Sequence, residues 1–317
     1  MDTLIILGTM FFVGFFITVW YTPRFMKKAK ASGYVVKDMY KKDRPLIPNL
    51  GGLTILAGTM ASLMAIQFFV PMNDILIFYF IVFAFGLFGL ADDLFDVGRP
   101  SKIFIPLILA LPIAILCKDT RISLIFMELD VGTLYVYIIC PLYLMVVANL
   151  VNMHSGFNGL SVGLSSNLLI FITAKAYLVN GSNSLESLYY IMPIFGALIA
   201  FQYYDFYPAK ILWGNIGSLM VGSAIGGLIL INHLEVFGIV LLIPHIINFL
   251  MYVVWKIKKL GEVKFGEVRE DGTLKVPNPW TLKWVLPYYF QVTENQSMWA
   301  MYILTTVFGL LAIIFVP

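Results

Sequence analysis

The chain is poor in charge, in cysteine and in histidine. Only 12% of its 317 residues are charged, whereas 60% are hydrophobic. A soluble domain cannot hide that much apolar surface, so an integral membrane protein is expected and nucleic acid is not expected as a partner. The two cysteines, Cys117 and Cys140, lie in or beside apolar runs with no Cys or His at metal-binding spacing. They read as inert core thiols that do not identify a redox compartment. Three histidines, His154, His233 and His245, are too few and too scattered for a His-based metal centre. No internal repeat is visible, which removes the half-to-half symmetry of many secondary transporters. The first apolar run follows Asp2 and precedes its positive charges, the reverse of a signal peptide, so a retained helix is expected.

What the chain does have is apolar length. Crossing the hydrocarbon takes about 20 residues as a helix. Candidate spans lie near 3–21, 50–70, 74–91, 103–117, 133–150, 161–179, 187–203, 217–233, 236–255 and 298–316. The expected fold is therefore an all-α integral membrane protein of about ten helices, forming a single polytopic domain over 1–317. With the N-terminus outside, the linkers 22–49, 92–102, 151–160, 204–216 and 256–297 face the cytoplasm. Of the 21 basic residues, all but Lys118, Arg121 and Lys175 fall in those linkers. That asymmetry follows the positive-inside rule, and it places both termini on the outer side. The linker 256–297 contains "GEVREDGTLKVPNPW", whose turn residues suggest a small hairpin or amphipathic segment.

Polar residues gather on the same cytoplasmic side, where they read as a site. "GLADDLFDVGRPSK" carries Asp92, Asp93 and Asp96 beside a span, with Lys102 following. Carboxylates this close repel unless protons or a cation join them, and oxygen-only ligands suit Mg²⁺, or alternatively Mn²⁺, shared with substrate phosphates. A solvated helix cap is the simpler reading of the same string. "NLVNMHSGFNGL" places Asn149 and Asn152 on one helix face and brackets Phe157 and Asn158 with Gly156 and Gly159. Amides both donate and accept, which suits a nucleobase edge or a metal-bound phosphate. "WGNIGS" sets Asn215 between glycines, and "KDMYKKDRPLIPNLGG" supplies Asp38 and Lys41. An intramembrane prenyltransferase would use a D-D-x-x-D string, but no second aspartate-rich motif appears. A transporter or a lipid-binding scaffold stays open on residues alone.

Taken in order, these motifs resemble the polyprenyl-phosphate N-acetylhexosamine-1-phosphate transferases, nearest to the eukaryotic and archaeal branch that makes GlcNAc-diphospho-dolichol. The resemblance spans from about residue 37 to the last helix. It implies transfer of a HexNAc 1-phosphate from a UDP-HexNAc donor to dolichyl or polyprenyl phosphate, the first step of lipid-linked glycan assembly for protein N-glycosylation. It also implies catalytic roles for Asp92, Asp93 and Lys102, and metal contacts at Asn152 and Asn215. Substrate contacts are implied at Asp38, Lys41, Asn149, Gly156 and Asn158. The uridine-stacking position falls on Leu212 beside Trp213, and the last loop offers Lys264 and Arg269 for the sugar. The chain departs from the bacterial cell-wall branch, an alternative reading, by Ser155 before Gly156 and by a last loop without histidine. It departs from the wider family by Asn215, which is often Asp. The membrane would be the plasma membrane in an archaeal cell or the endoplasmic reticulum in a eukaryotic one. A homodimer is left open.

Overall fold

The computed structural model describes residues 3–316 except 68, 71, 72, 99, 125, 182–184, 186, 260 and 262. Residue 68 of the second expected span, and 260 and 262 of the last loop, thus lie outside the described residues. Twelve α-helices and three two-stranded antiparallel hairpins are described. Every apolar run of the sequence has a helical counterpart. These are α1 (Thr3–Ala31), α2 (Gly52–Ile66), α3 (Asn73–Phe95), α4 (Ser101–Ala110, continued by a 3-10 turn at Leu111–Ile115) and α5 (Cys140–Met153, entered through a π turn at Tyr135–Ile139). There follow α6 (Leu160–Asn180), α7 (Leu188–Asp205), α8 (Gly214–Ile231), the pair α9 (Glu235–Leu241) and α10 (Ile243–Ile257), and α12 (Glu294–Phe315).

Length and composition qualify six of these helices to cross a membrane, or seven if the α9–α10 pair counts as one bent span. The expected count of ten full spans is therefore not established. Helix α2 and the α4 segment are apolar but short. The α9–α10 pair bends by 64°, where Pro244 opens α10 and has no N–H to continue the preceding helix. The helical class itself stands, with short hairpins added in the loops. One hairpin, β5 (Glu267–Val268) with β6 (Leu274–Lys275), falls in the last loop as expected. Two others, β1 (Val35–Lys37) with β2 (Leu46–Pro48) and β3 (Arg121–Ser123) with β4 (Glu128–Asp130), were not anticipated. Their strands have three residues each, too short for a period-2 pattern to stand out. A short helix, α11 (Leu282–Tyr289), completes the last loop.

Helix α8 is apolar or small on every face, the pattern of a helix surrounded by others. It is the centre of the bundle, 83% buried, and packs against α2, α3, α5 and α6. Helices α1 and α12, each 28% buried, lie at the periphery and turn Phe12, Phe16, Ile303 and Ile314 outward. A separate apolar cluster joins Tyr40, Phe157, Leu160, Leu274, Trp284 and Met298. It fastens the first loop, the Asn/Gly turn, the last hairpin, α11 and α12 to one another at one end of the bundle.

Candidate active site

Helices α3 and α5 end, and α8 begins, at that same end of the bundle. Asp92 and Asp93 close α3, Asn152 closes α5, and Asn215 opens α8. Asp92 is 5% exposed and fully engaged. Its carboxylate accepts from Lys102 Nζ at 2.8 Å, from the Val97 amide at 3.0 Å and from Asn215 Nδ2 at 2.9 Å. It therefore ties the end of α3 to α4 and to the start of α8. Asp93 accepts from the Ile216 amide at 3.1 Å. The first amides of a helix lack intrahelical partners, and the helix dipole favours a negative group there. Asp93 thus caps α8 from a neighbouring helix. Gly214 makes this approach fit: its φ is +70°, and a Cβ there would collide with Asp93 Oδ2.

A cavity of about 260 Å³ opens beside this contact. Asp93, Asn49, Asn152, Asn215 and Ser218 are among the residues that line it. Asn152 Oδ1 accepts from Ser218 Oγ at 2.6 Å. Asp38, Gly156, Asn158, Leu212 and Trp213 line it as well. Asp38 and Asn158 are buried. Asn158 is tied to the fold at two points: its backbone N–H donates to Glu294 Oε1 at 2.7 Å, and its side-chain Oδ1 accepts from the Ala209 amide at 3.0 Å.

Other expected site residues are placed elsewhere. Lys41 is paired with the buried carboxylate of Glu294, stands 3.3 Å from Asp38 Oδ2, and lies over the Tyr207 ring at 4.3 Å. Asn149 Nδ2 donates to the Met145 carbonyl at 2.9 Å, one turn back along α5. Arg269 donates to the Leu274 carbonyl at 2.5 Å inside the last hairpin. Lys264 and Lys102 line a second cavity of about 550 Å³, together with Asp96, Tyr252, Trp280 and Lys283. Asp96 thus stands apart from the Asp92–Asp93 pair, on the positive φ of 48° that ends α3.

Four residues were missed. Glu294 holds Lys41 and the Asn158 amide at once, and its signal is the Thr293–Gln296 capping box that opens α12. Asn49 and Ser218 lie within stretches already singled out for their polar content. Lys283 left no signal, since in sequence it is one basic residue among several in a long linker. Ser155 in the Asn/Gly turn presents its carbonyl to Lys283 Nζ at 2.6 Å.

The side chains that line the cavity beside Asp93, those of Asn49, Asn152, Asn215 and Ser218, all carry oxygen ligands. That set fits a hard divalent cation whose remaining ligands come from a phosphate-bearing substrate and water. Among the described residues no three His, Cys, Asp or Glu side chains gather to hold a metal unaided.

Comparison with known proteins identifies the family. Residues 75–233 match the family model described as Glycosyl transferase family 4, a segment that contains Asp92, Asp93, Lys102, Asn152 and Asn215. A Saccharolobus solfataricus protein is 30% identical over 96% of this chain and 94% of its own length. A Sulfolobus acidocaldarius protein is 28% identical over the same shares. Both are provisionally named UDP-N-acetylglucosamine–dolichyl-phosphate N-acetylglucosaminephosphotransferase. The phospho-N-acetylmuramoyl-pentapeptide-transferase of Streptococcus gordonii is 26% identical over 74% of this chain and 76% of that protein. With the family model covering half of the chain and an end-to-end relative at this identity, the chain belongs to glycosyl transferase family 4.

Proposed function

We propose that this chain transfers N-acetylglucosamine 1-phosphate from UDP-N-acetylglucosamine to dolichyl or polyprenyl phosphate, releasing UMP and beginning lipid-linked glycan assembly. The observation that carries the proposal is one cavity lined by Asp93, Asn152 and Asn215 together with Gly156, Asn158 and Trp213. The names of the two archaeal relatives agree with it. An oxygen of the lipid phosphate attacks the phosphorus bonded to the sugar, and the bond from that phosphorus to the bridging oxygen of UMP breaks. Such a transfer needs positioning and charge neutralisation more than covalent participation by the protein.

The residues divide that work. Asp93, fixed by the α8 amides, lines the cavity and orients the acceptor phosphate. Asp92 positions Lys102 and Asn215. Lys102 supplies positive charge to the donor diphosphate, and the Asn/Gly turn with Trp213 receives the uridine. Asp93, Asn152 and Asn215 would hold Mg²⁺, which when bound lowers the charge on the diphosphate and on departing UMP. Asn in place of Asp at 215 leaves that site one negative charge weaker. The positive-inside distribution supports ten spans, a cytoplasmic cavity and both termini outside.

The test incubates purified protein with Mg²⁺, a short dolichyl phosphate and a panel of UDP-sugars, and measures UMP. UMP from UDP-N-acetylglucosamine is expected. The panel includes UDP-N-acetylmuramoyl-pentapeptide, and UMP from that donor alone would move the chain to the cell-wall activity. Folded protein that releases no UMP from any donor would refute the transferase reading.

A further inference from the structure

Lys283 is a site-facing cation that neither the sequence motifs nor the family match singles out. It sits on α11, and its ammonium reaches across to the Asn/Gly turn. There it donates to the Ser155 carbonyl at 2.6 Å and lies over the Phe157 ring at 5.4 Å and the Tyr40 ring at 6.0 Å. Gly156 makes this reach fit. Its φ is +104°, and a Cβ at that position would collide with Lys283 Nζ. No carboxylate lies within ion-pair distance of Lys283 among the described residues, although Lys41 and Lys102 each have one.

An ammonium carries three N–H donors. One is used by Ser155, and no described acceptor takes the other two. Lys283 is half-buried and lines the second cavity rather than facing bulk water. That cavity is basic: Lys102, Lys256, Lys264 and Lys283 line it against the single carboxylate of Asp96. Gly156 and Ser155, the backbone that Lys283 touches, line the first cavity. Lys283 therefore stands at the partition between the place for a nucleoside and a basic chamber of about 550 Å³. A ligand running from one to the other enters a chamber whose lining includes both Lys283 and Lys102.

We propose that Lys283 is a donor-binding residue that holds the diphosphate of the nucleotide sugar opposite Lys102, replacing from α11 the sugar-side cations expected at Lys264 and Arg269. This rests on the UDP-sugar reading above. A charged hydrogen bond to phosphate in a partly desolvated site is stronger than one in water, and the empty donors of Lys283 are what such a ligand would fill. The bland alternative is a pin that does no more than hold the Ser155 turn through its carbonyl.

Binding of uridine, UMP, UDP and UDP-N-acetylglucosamine to the full-length protein, with Mg²⁺ present, separates the two. Lys283→Gln keeps an N–H donor for the Ser155 carbonyl and removes the charge, and Lys283→Met removes both. The expected result is that both variants bind UDP and UDP-N-acetylglucosamine about tenfold or more weakly, bind uridine as the wild type does, and keep its melting temperature within a few degrees. Equal weakening of all four ligands, uridine included, would reduce Lys283 to a pin. Unchanged UDP affinity in Lys283→Gln would overturn the proposal while leaving the transferase reading standing. A wild-type protein that binds no uridine nucleotide and forms no UMP would remove both.

Discussion

Successive side chains on an α-helix point about 100° apart, so the carboxylates at 92 and 93 meet different surroundings. Asp92 turns into the bundle, where Lys102, Asn215 and the Val97 amide use up its oxygens. Asp93 instead lines the cavity. Asp93→Asn is expected to lower turnover by about 10²–10³-fold with expression and elution profile unchanged. Lys102→Ala is expected to be as inactive, because it removes the charge proposed for the diphosphate and frees Asp92 from its ion pair. Full activity in both, measured as UMP release, would remove the proposed site. A pH effect belongs to Lys283. Desolvation pushes its ammonium down to about 8, against the opposing pull of the Glu294 carboxylate. The charged form is present below that value and is lost as pH rises through it. UDP affinity should therefore fall above about pH 8, and Lys283→Gln should lack that step. The groups around Lys283 are Glu294 on α12, Tyr40 in the first loop, His154 beside Ser155, and Lys102, Lys256, Lys264 and Asp96 around the cavity. Burial holds His154 far below the usual imidazole range, so it stays neutral. Tyr40 is pushed up to about 12, so it too stays neutral through the same interval.

At the scale of elements, the site depends on pieces that are distant in sequence and short in length. Glu294 at the start of α12 accepts from the Asn158 amide and pairs with Lys41 of the first loop. Both partners are largely shielded from water, so removing one leaves the other's charge poorly compensated. Lys41→Met and Glu294→Gln should each lower the unfolding midpoint in detergent. The double variant should be little worse than either single one, giving a coupling of about 1–3 kcal/mol. Additive losses would mean that the pair contributes nothing as a pair. The contact between α3 and α8 offers a second test. Gly214→Ala meets both a positive φ and the Asp93 carboxylate, and is expected to abolish UMP formation while membrane insertion persists. The Asp92–Asp93 pair, Asn152 and Asn215 were legible because polar groups beside long apolar runs stand out. Lys283 and the clamp role of Glu294 were not, because a residue in a polar linker looks like any other until folding gives it a partner.

Over the whole molecule, the charge distribution makes a claim that labelling can check. A single cysteine placed in the β3–β4 hairpin at 121–130 should react with an impermeant maleimide added to intact cells. One placed in the β5–β6 hairpin at 267–275 should react only after permeabilisation. Cys117 and Cys140 are both buried and should give little background. The opposite pattern would invert the topology and put the cavity outside. The sequence by itself determined the membrane class, the positions of the apolar helices and the ends at which polar groups collect. Those depend on local composition, and the cost of burying charge in hydrocarbon enforces them. Only the tertiary structure decided which carboxylate faces the cavity, that Lys41 serves Glu294, and that a lysine near residue 280 reaches a turn near residue 155. Each of these depends on how helices far apart in sequence approach and rotate against one another, and local sequence pattern does not encode that rotation.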